Sequence, residues 1–145
     1  MPRIRKSIDI STSPESVFNY ATNPTTQPDW IKFIKDVDIT SGDGKSKGTT
    51  DQCLMKLGPR AQTVDAVWTE YDPPRVFARK ATGGAEMGGR MTFEPMDDGT
   101  RVEWTIDYKP PMGGIGGLID VLFMNRVFQN EIEESLESLK AQLEG

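Results

Sequence analysis

Apolar residues recur at Val121, Phe128, Ile132, Leu136, Leu139 and Leu143, in steps of three, four or seven that lay one stripe along a helix. The spacing predicts a helix from Leu118 to Leu143, roughly 39 Å long at 1.5 Å per residue. A helix of that length needs a broad surface to lie on. Upstream the period changes to two. Val102, Trp104, Ile106 and Tyr108 alternate with Arg101, Glu103, Thr105 and Asp107, the clearest strand in the chain. Ile4, Ile8 and Ile10 alternate in the same way with Arg5, Ser7 and Asp9, with Lys6 breaking the pattern.

Between these ends the chain is punctuated by turn residues. Ser13-Pro14-Glu15 supplies an N-cap, a proline at the first helical position and an acid in the first turn, so a helix carrying Val17, Phe18 and Ala21 inward is expected to stop before Pro24. A second short helical piece is expected over Thr25 to Trp30. Strands follow at 35–40, 48–57, 62–71, 75–81 and 87–96, separated by Ser41-Gly42-Asp43-Gly44, Gly58-Pro59, Asp72-Pro73-Pro74 and Gly83-Gly84, and Asp97-Asp98-Gly99 joins the last of them to the strand at 101–108. In 48–57 the parity sets Cys53, Met55 and Leu57 on one face, and in 62–71 it sets Val64, Ala66 and Trp68 together. Consecutive hairpins with helices at either end predict an α+β fold, an antiparallel meander of six to seven strands in one domain spanning 1–145.

Composition narrows the partners. The 145 residues are 36% hydrophobic, enough for one core, and 17 basic against 22 acidic residues give a net charge of -5. That balance argues against nucleic acid and anionic membrane as partners. The longest apolar run, Ile115 to Phe123, is interrupted by Asp120 and reaches about half the ~20 residues of a membrane span. The N-terminal residues show no signal-peptide block, and the lone Cys53 suits a reducing cytoplasm. There is no histidine, which removes Ser-His-Asp and Cys-His nucleophiles and His-ligated metal, and leaves carboxylates, Lys, Arg, Tyr and Cys53 for any chemistry.

Ser13-Pro14-Glu15-Ser16-Val17-Phe18, Pro28-Asp29-Trp30, Glu70-Tyr71-Asp72-Pro73-Pro74-Arg75, Phe93-Glu94-Pro95 and Gly99-Thr100-Arg101-Val102, followed by the long helix, resemble in order and spacing the START-like, helix-grip superfamily of polyketide cyclases and dehydratases, lipid-transfer proteins and plant pathogenesis-related allergens. The resemblance covers nearly the whole length. It implies a sheet curled around the terminal helix with a ligand cavity between them, but no shared catalytic set. A cyclase mechanism that needs histidine is not available to this chain.

Two glycine-rich stretches fail as nucleotide motifs. Gly44-Lys45-Ser46 has Ile39 where a phosphate-binding loop needs glycine, and Gly114-Ile115-Gly116 has Ile119 where the dinucleotide fingerprint does. Pro110 to Gly114 falls where the resemblance places the cavity mouth; it reads either as a lid hinge or as a static linker into the helix. Trp30, Phe33, Met55, Trp68, Phe77, Met91, Phe93, Trp104, Tyr108, Met112 and Phe123 are either core or the lining of an apolar pocket, and the resemblance favours the pocket. Arg79, on the same face as Phe77, either anchors a ligand carboxylate or phenolate or pairs with an acid. Glu103 and Asp107 read as solvated, Cys53 as an inward thiol without a basic neighbour, and Glu137 as a partner for Lys140.

The expectation is a cofactor-free, metal-free monomer or homodimer that binds or carries a small hydrophobic ligand such as a lipid, quinone or polyketide-like molecule, with Tyr108 and Arg79 at its polar end. Alternatives are a cyclase or dehydratase with Tyr108 moving protons, and a chaperone-cofactor-like interaction module.

Overall fold

The computed structural model describes residues 3–57, 60–109 and 117–144, except for the side chains of 60 and 117–124. Local signals act as expected at the start. Ser13 caps the first helix by accepting from the Ser16 N–H, and Pro14 opens it. The elements are β1 (Arg3–Ile10), α1 (Pro14–Thr22), α2 (Gln27–Trp30), β2 (Ile34–Ser41), β3 (Thr50–Leu57), β4 (Arg60–Asp72), β5 (Val76–Gly83), β6 (Met87–Met96), β7 (Gly99–Tyr108) and α3 (Gly117–Glu144). The seven strands form one sheet in the order β1-β7-β6-β5-β4-β3-β2, and every neighbouring pair is antiparallel. The meander runs from β2 to β7, and β1 closes it on the far side of β7.

The helix stripe is the core's spine. Phe128, Ile132, Leu136 and Leu139 on α3 are each no more than 2% exposed, and such burial stabilises by about 1.5–3 kcal/mol per side chain. Val121, the first position of the stripe, lies outside the described side chains. The helix touches β1 at one edge of the sheet and β3 towards the other, so the sheet curves around it. Polar contacts mark both flanks. Ser135 Oγ accepts from the Lys32 backbone N–H at 2.8 Å, and Lys6 reaches Glu133 at 2.6 Å. Lys6 therefore breaks the β1 alternation because its stem follows the inner face while its ammonium meets the helix.

Parity holds along β3, where Asp51, Cys53 and Met55 are buried and Gln52 and Leu54 exposed. Gly84 turns β5 into β6 with φ of 89°, and a Cβ there would stand 2.2 Å from Thr63 O, so only glycine fits. The Gly44-Lys45-Ser46 segment is a turn, with the Asp43 carboxylate accepting from the Lys45 N–H and the Ser46 hydroxyl at 2.8 Å. One helix pairing differs from expectation. Lys140 binds Glu144 at 2.7 Å and Asp9 O at 2.8 Å, not Glu137, because β1 approaches that face of α3.

Candidate ligand site

Register explains where space opens on the inner face. Trp68, Arg79, Gly89 and Ile106 lie side by side across β4, β5, β6 and β7, with Phe77, Met91 and Trp104 in the next row. Ala66 pairs with Ala81 beside them. Gly89 and the two alanines put almost no side chain where their neighbours put rings, and a pocket results. Gln27, Ile31, Phe33 and Ile34, from α2 and the start of β2, close it from above. The cavity is about 60 Å³, room for a few waters and well below the roughly 300–1,000 Å³ of drug-sized sites. Met55, Met87 and Met91 are on its wall, and unbranched thioethers repack at low cost.

A buried ion pair borders this space. Asp51, whose side chain is wholly buried, accepts from Arg79 Nη2 at 2.5 Å and Nε at 2.9 Å, and from the Trp68 indole N–H at 2.8 Å. Burial opposes the Arg79 charge, yet the facing carboxylate outweighs it and holds the guanidinium above its ordinary value. Arg79 Nη2 also lies 3.7 Å from Cys53 Sγ. The expectation that Cys53 lacks a basic neighbour is thus corrected, because the register of β3, β4 and β5 brings Arg79 across two strands. Burial still dominates and pushes the thiol up, so Cys53 stays protonated and poorly nucleophilic.

Phe33, Met55, Phe77, Arg79, Met91 and Trp104 come together on the pocket wall. Trp30, Trp68, Phe93 and Tyr108 are instead packed in the core, their ring centroids 5.3 Å from Trp104, 5.0 Å from Phe77, 5.1 Å from Phe18 and 4.9 Å from Phe128 respectively. The Tyr108 hydroxyl donates to Asn125 Oδ1 at 2.5 Å, and burial pushes its pKa up. Met112, the Phe123 side chain and the stretch from Pro110 to Gly114 lie outside the described residues. Glu103 and Asp107 are on the outer face, as expected, paired with Arg5 and Arg3.

Gln27, Ile31, Ile34, Ala66, Ala81, Met87, Gly88, Gly89 and Ile106 also line the pocket, outside the set that the sequence predicts. Ile106 shares parity with Trp104, and Met87 with Met91, so alternation alone carried the signal for those two. Asp51 likewise shares parity with Cys53 and Met55. A more open groove of about 830 Å³ is lined by outer-face residues such as Arg3, Arg5 and Glu103 and shares Arg79, Ala81, Met87, Gly88 and Gly89 with the pocket. Its ion-paired walls, Arg3 with Asp107 and Arg90 with Glu70, suit an apolar ligand poorly. Among the described residues no cluster of acidic or Cys side chains has metal-binding geometry, and no helix is long and apolar enough to cross a membrane.

Structures of similar shape are numerous at low identity. A Thermus thermophilus protein shares 21% identity at a TM-score of 0.83, covering 98% of this chain and 97% of its own. The Zhui aromatase/cyclase from a Streptomyces species is 14% identical at 0.83, over 99% of this chain and 93% of its own. A START superfamily protein from Mycobacterium smegmatis is 13% identical at 0.77, over 98% and 97%. A comparison with curated proteins finds no match. At such identities the shared feature is the helix-grip fold. The profile described as polyketide cyclase / dehydrase and lipid transport matches residues 1–144, and the chain belongs to that family.

Proposed function

We propose that the protein binds or carries a small hydrophobic molecule of the lipid, quinone or polyketide-like class in the pocket between β3–β7 and the α2–β2 segment. The observation that carries this reading is the gap left by small residues in neighbouring rows, Ala66 and Ala81 beside Gly89, within an inner face otherwise filled by rings and thioethers. Burial of the ligand's apolar body supplies affinity at roughly 25 cal/mol per Å². The family likeness supports a ligand-binding role of this kind. Among the described residues the wall's one ionisable side chain is Arg79, already held by Asp51, which favours carriage over acid–base turnover. The cyclase or dehydratase reading would need a proton-moving group that the described residues of this wall do not offer. Native mass spectrometry of the purified protein together with a panel of hydrophobic fluorescent probes tests the proposal. A co-purifying small molecule or one saturable site is expected; neither appearing would end it.

A further inference from the structure

A hydrogen-bond donor borders the side-chain-free spot at Gly89. A Cβ on Gly89 would stand 3.3 Å from Trp104 Nε1, so the indole N–H overhangs that spot. Trp68 gives its own N–H to Asp51, but no described hydrogen bond uses the N–H of Trp104. Arg79 lines the same cavity from β5, its guanidinium turned across β4 to Asp51. Of its five N–H groups, the described bonds engage Nε and Nη2 and leave Nη1 without a partner among the described residues. Gln27, the remaining polar side chain on the wall, donates its amide to Ala21 O.

We infer that the pocket holds a subsite over Gly89 for a neutral hydrogen-bond acceptor, the carbonyl oxygen of a ketone or quinone, received by Trp104 Nε1–H beside the Arg79–Asp51 pair. The inference rests on the proposed pocket and narrows its ligand. Asp51 cancels the guanidinium charge at 2.5 Å, so an incoming carboxylate would surrender its hydration for a site of no net charge. A purely apolar ligand would cover the Trp104 N–H and leave it unpaired, at a penalty. A carbonyl satisfies that N–H without bringing charge. Of the two readings of Arg79 from sequence, the pair with an acid is the one that its contact with Asp51 shows.

The test uses acetophenone, ethylbenzene and benzoate as matched single-ring probes on the full-length protein at pH 7, followed by ¹H–¹⁵N NMR. The three indole N–H signals belong to Trp30, Trp68 and Trp104, and Trp104→Phe identifies the third. Acetophenone is expected to bind about tenfold tighter than ethylbenzene or benzoate and to move the Trp104 indole proton downfield. Gly89→Ala, which sets a methyl against Nε1, should erase the preference while the dispersed spectrum reports an intact fold. Equal binding of acetophenone and ethylbenzene without an indole shift overturns the subsite and leaves the pocket standing. Tighter binding of benzoate overturns it in favour of a charge anchor. If none of the three binds, the pocket reading fails and this inference with it.

Discussion

Arg79 and Asp51 face each other across β4, from β5 to β3, with Nη2 to Oδ1 at 2.5 Å and Nε to Oδ2 at 2.9 Å. The contact is bidentate, and Asp51 is fully buried while the Arg79 side chain is 18% exposed. Removing either charge strands the other. Asp51→Leu or Arg79→Met alone should cost about 3–5 kcal/mol, whereas the double variant should cost much less than the sum. Urea unfolding of the four proteins decides it; additive losses would mean the pair is not coupled.

Tyr108 is held through its hydroxyl to Asn125 on α3 while its ring packs on Phe128. Tyr108→Phe keeps the ring and removes the bond. Stability should fall by about 1 kcal/mol, with probe binding in the pocket unchanged. A large loss of binding would restore Tyr108 as a ligand contact.

How much of this was legible in sequence depends on the range of the interaction. The α3 stripe and the strand parities are local periodicities, and Phe128, Ile132, Leu136 and Leu139 are buried as the spacing requires. The same parity placed Asp51 inward, but its partner lies 28 residues away and is supplied by two registers, one containing shifts. Lys140 shows the same limit, since its contact with Asp9 O comes from tertiary approach of β1. The pocket was hardest to foresee because it is made by what is missing. Ala66, Ala81 and Gly89 carry no signal as ligand residues until register brings them into neighbouring rows.

Cys53 is 1% exposed, and burial outweighs the pull of Arg79 on its thiol. Iodoacetamide at pH 8 should label the folded protein only at the rate of its unfolding, and label it at once in urea. Rapid alkylation of the native form would show that Arg79 activates the sulfur.

Acid should weaken the fold through its carboxylates. A hydrogen bond from Arg3 holds Asp107 below the usual range, one from Arg101 does so for Asp9, and bonds from Lys140 and the Ser11 N–H do so for Glu144. Each folded pKa lies below the unfolded one. Their contribution is thus present above about pH 4 and is lost as pH falls through the folded values. Urea midpoints should decline below about pH 5, and less steeply in a variant combining Asp9→Asn with Asp107→Asn. An identical slope in that variant would assign acid sensitivity to other groups.

The most direct measurement is an NMR titration with ethylbenzene of the wild type and of Ala81→Leu, which fills the gap beside Gly89. The account predicts saturable shifts centred on Ala66, Ala81, Gly88 and Gly89 in the wild type, absent from a folded Ala81→Leu. The same saturable shifts in both proteins would contradict it.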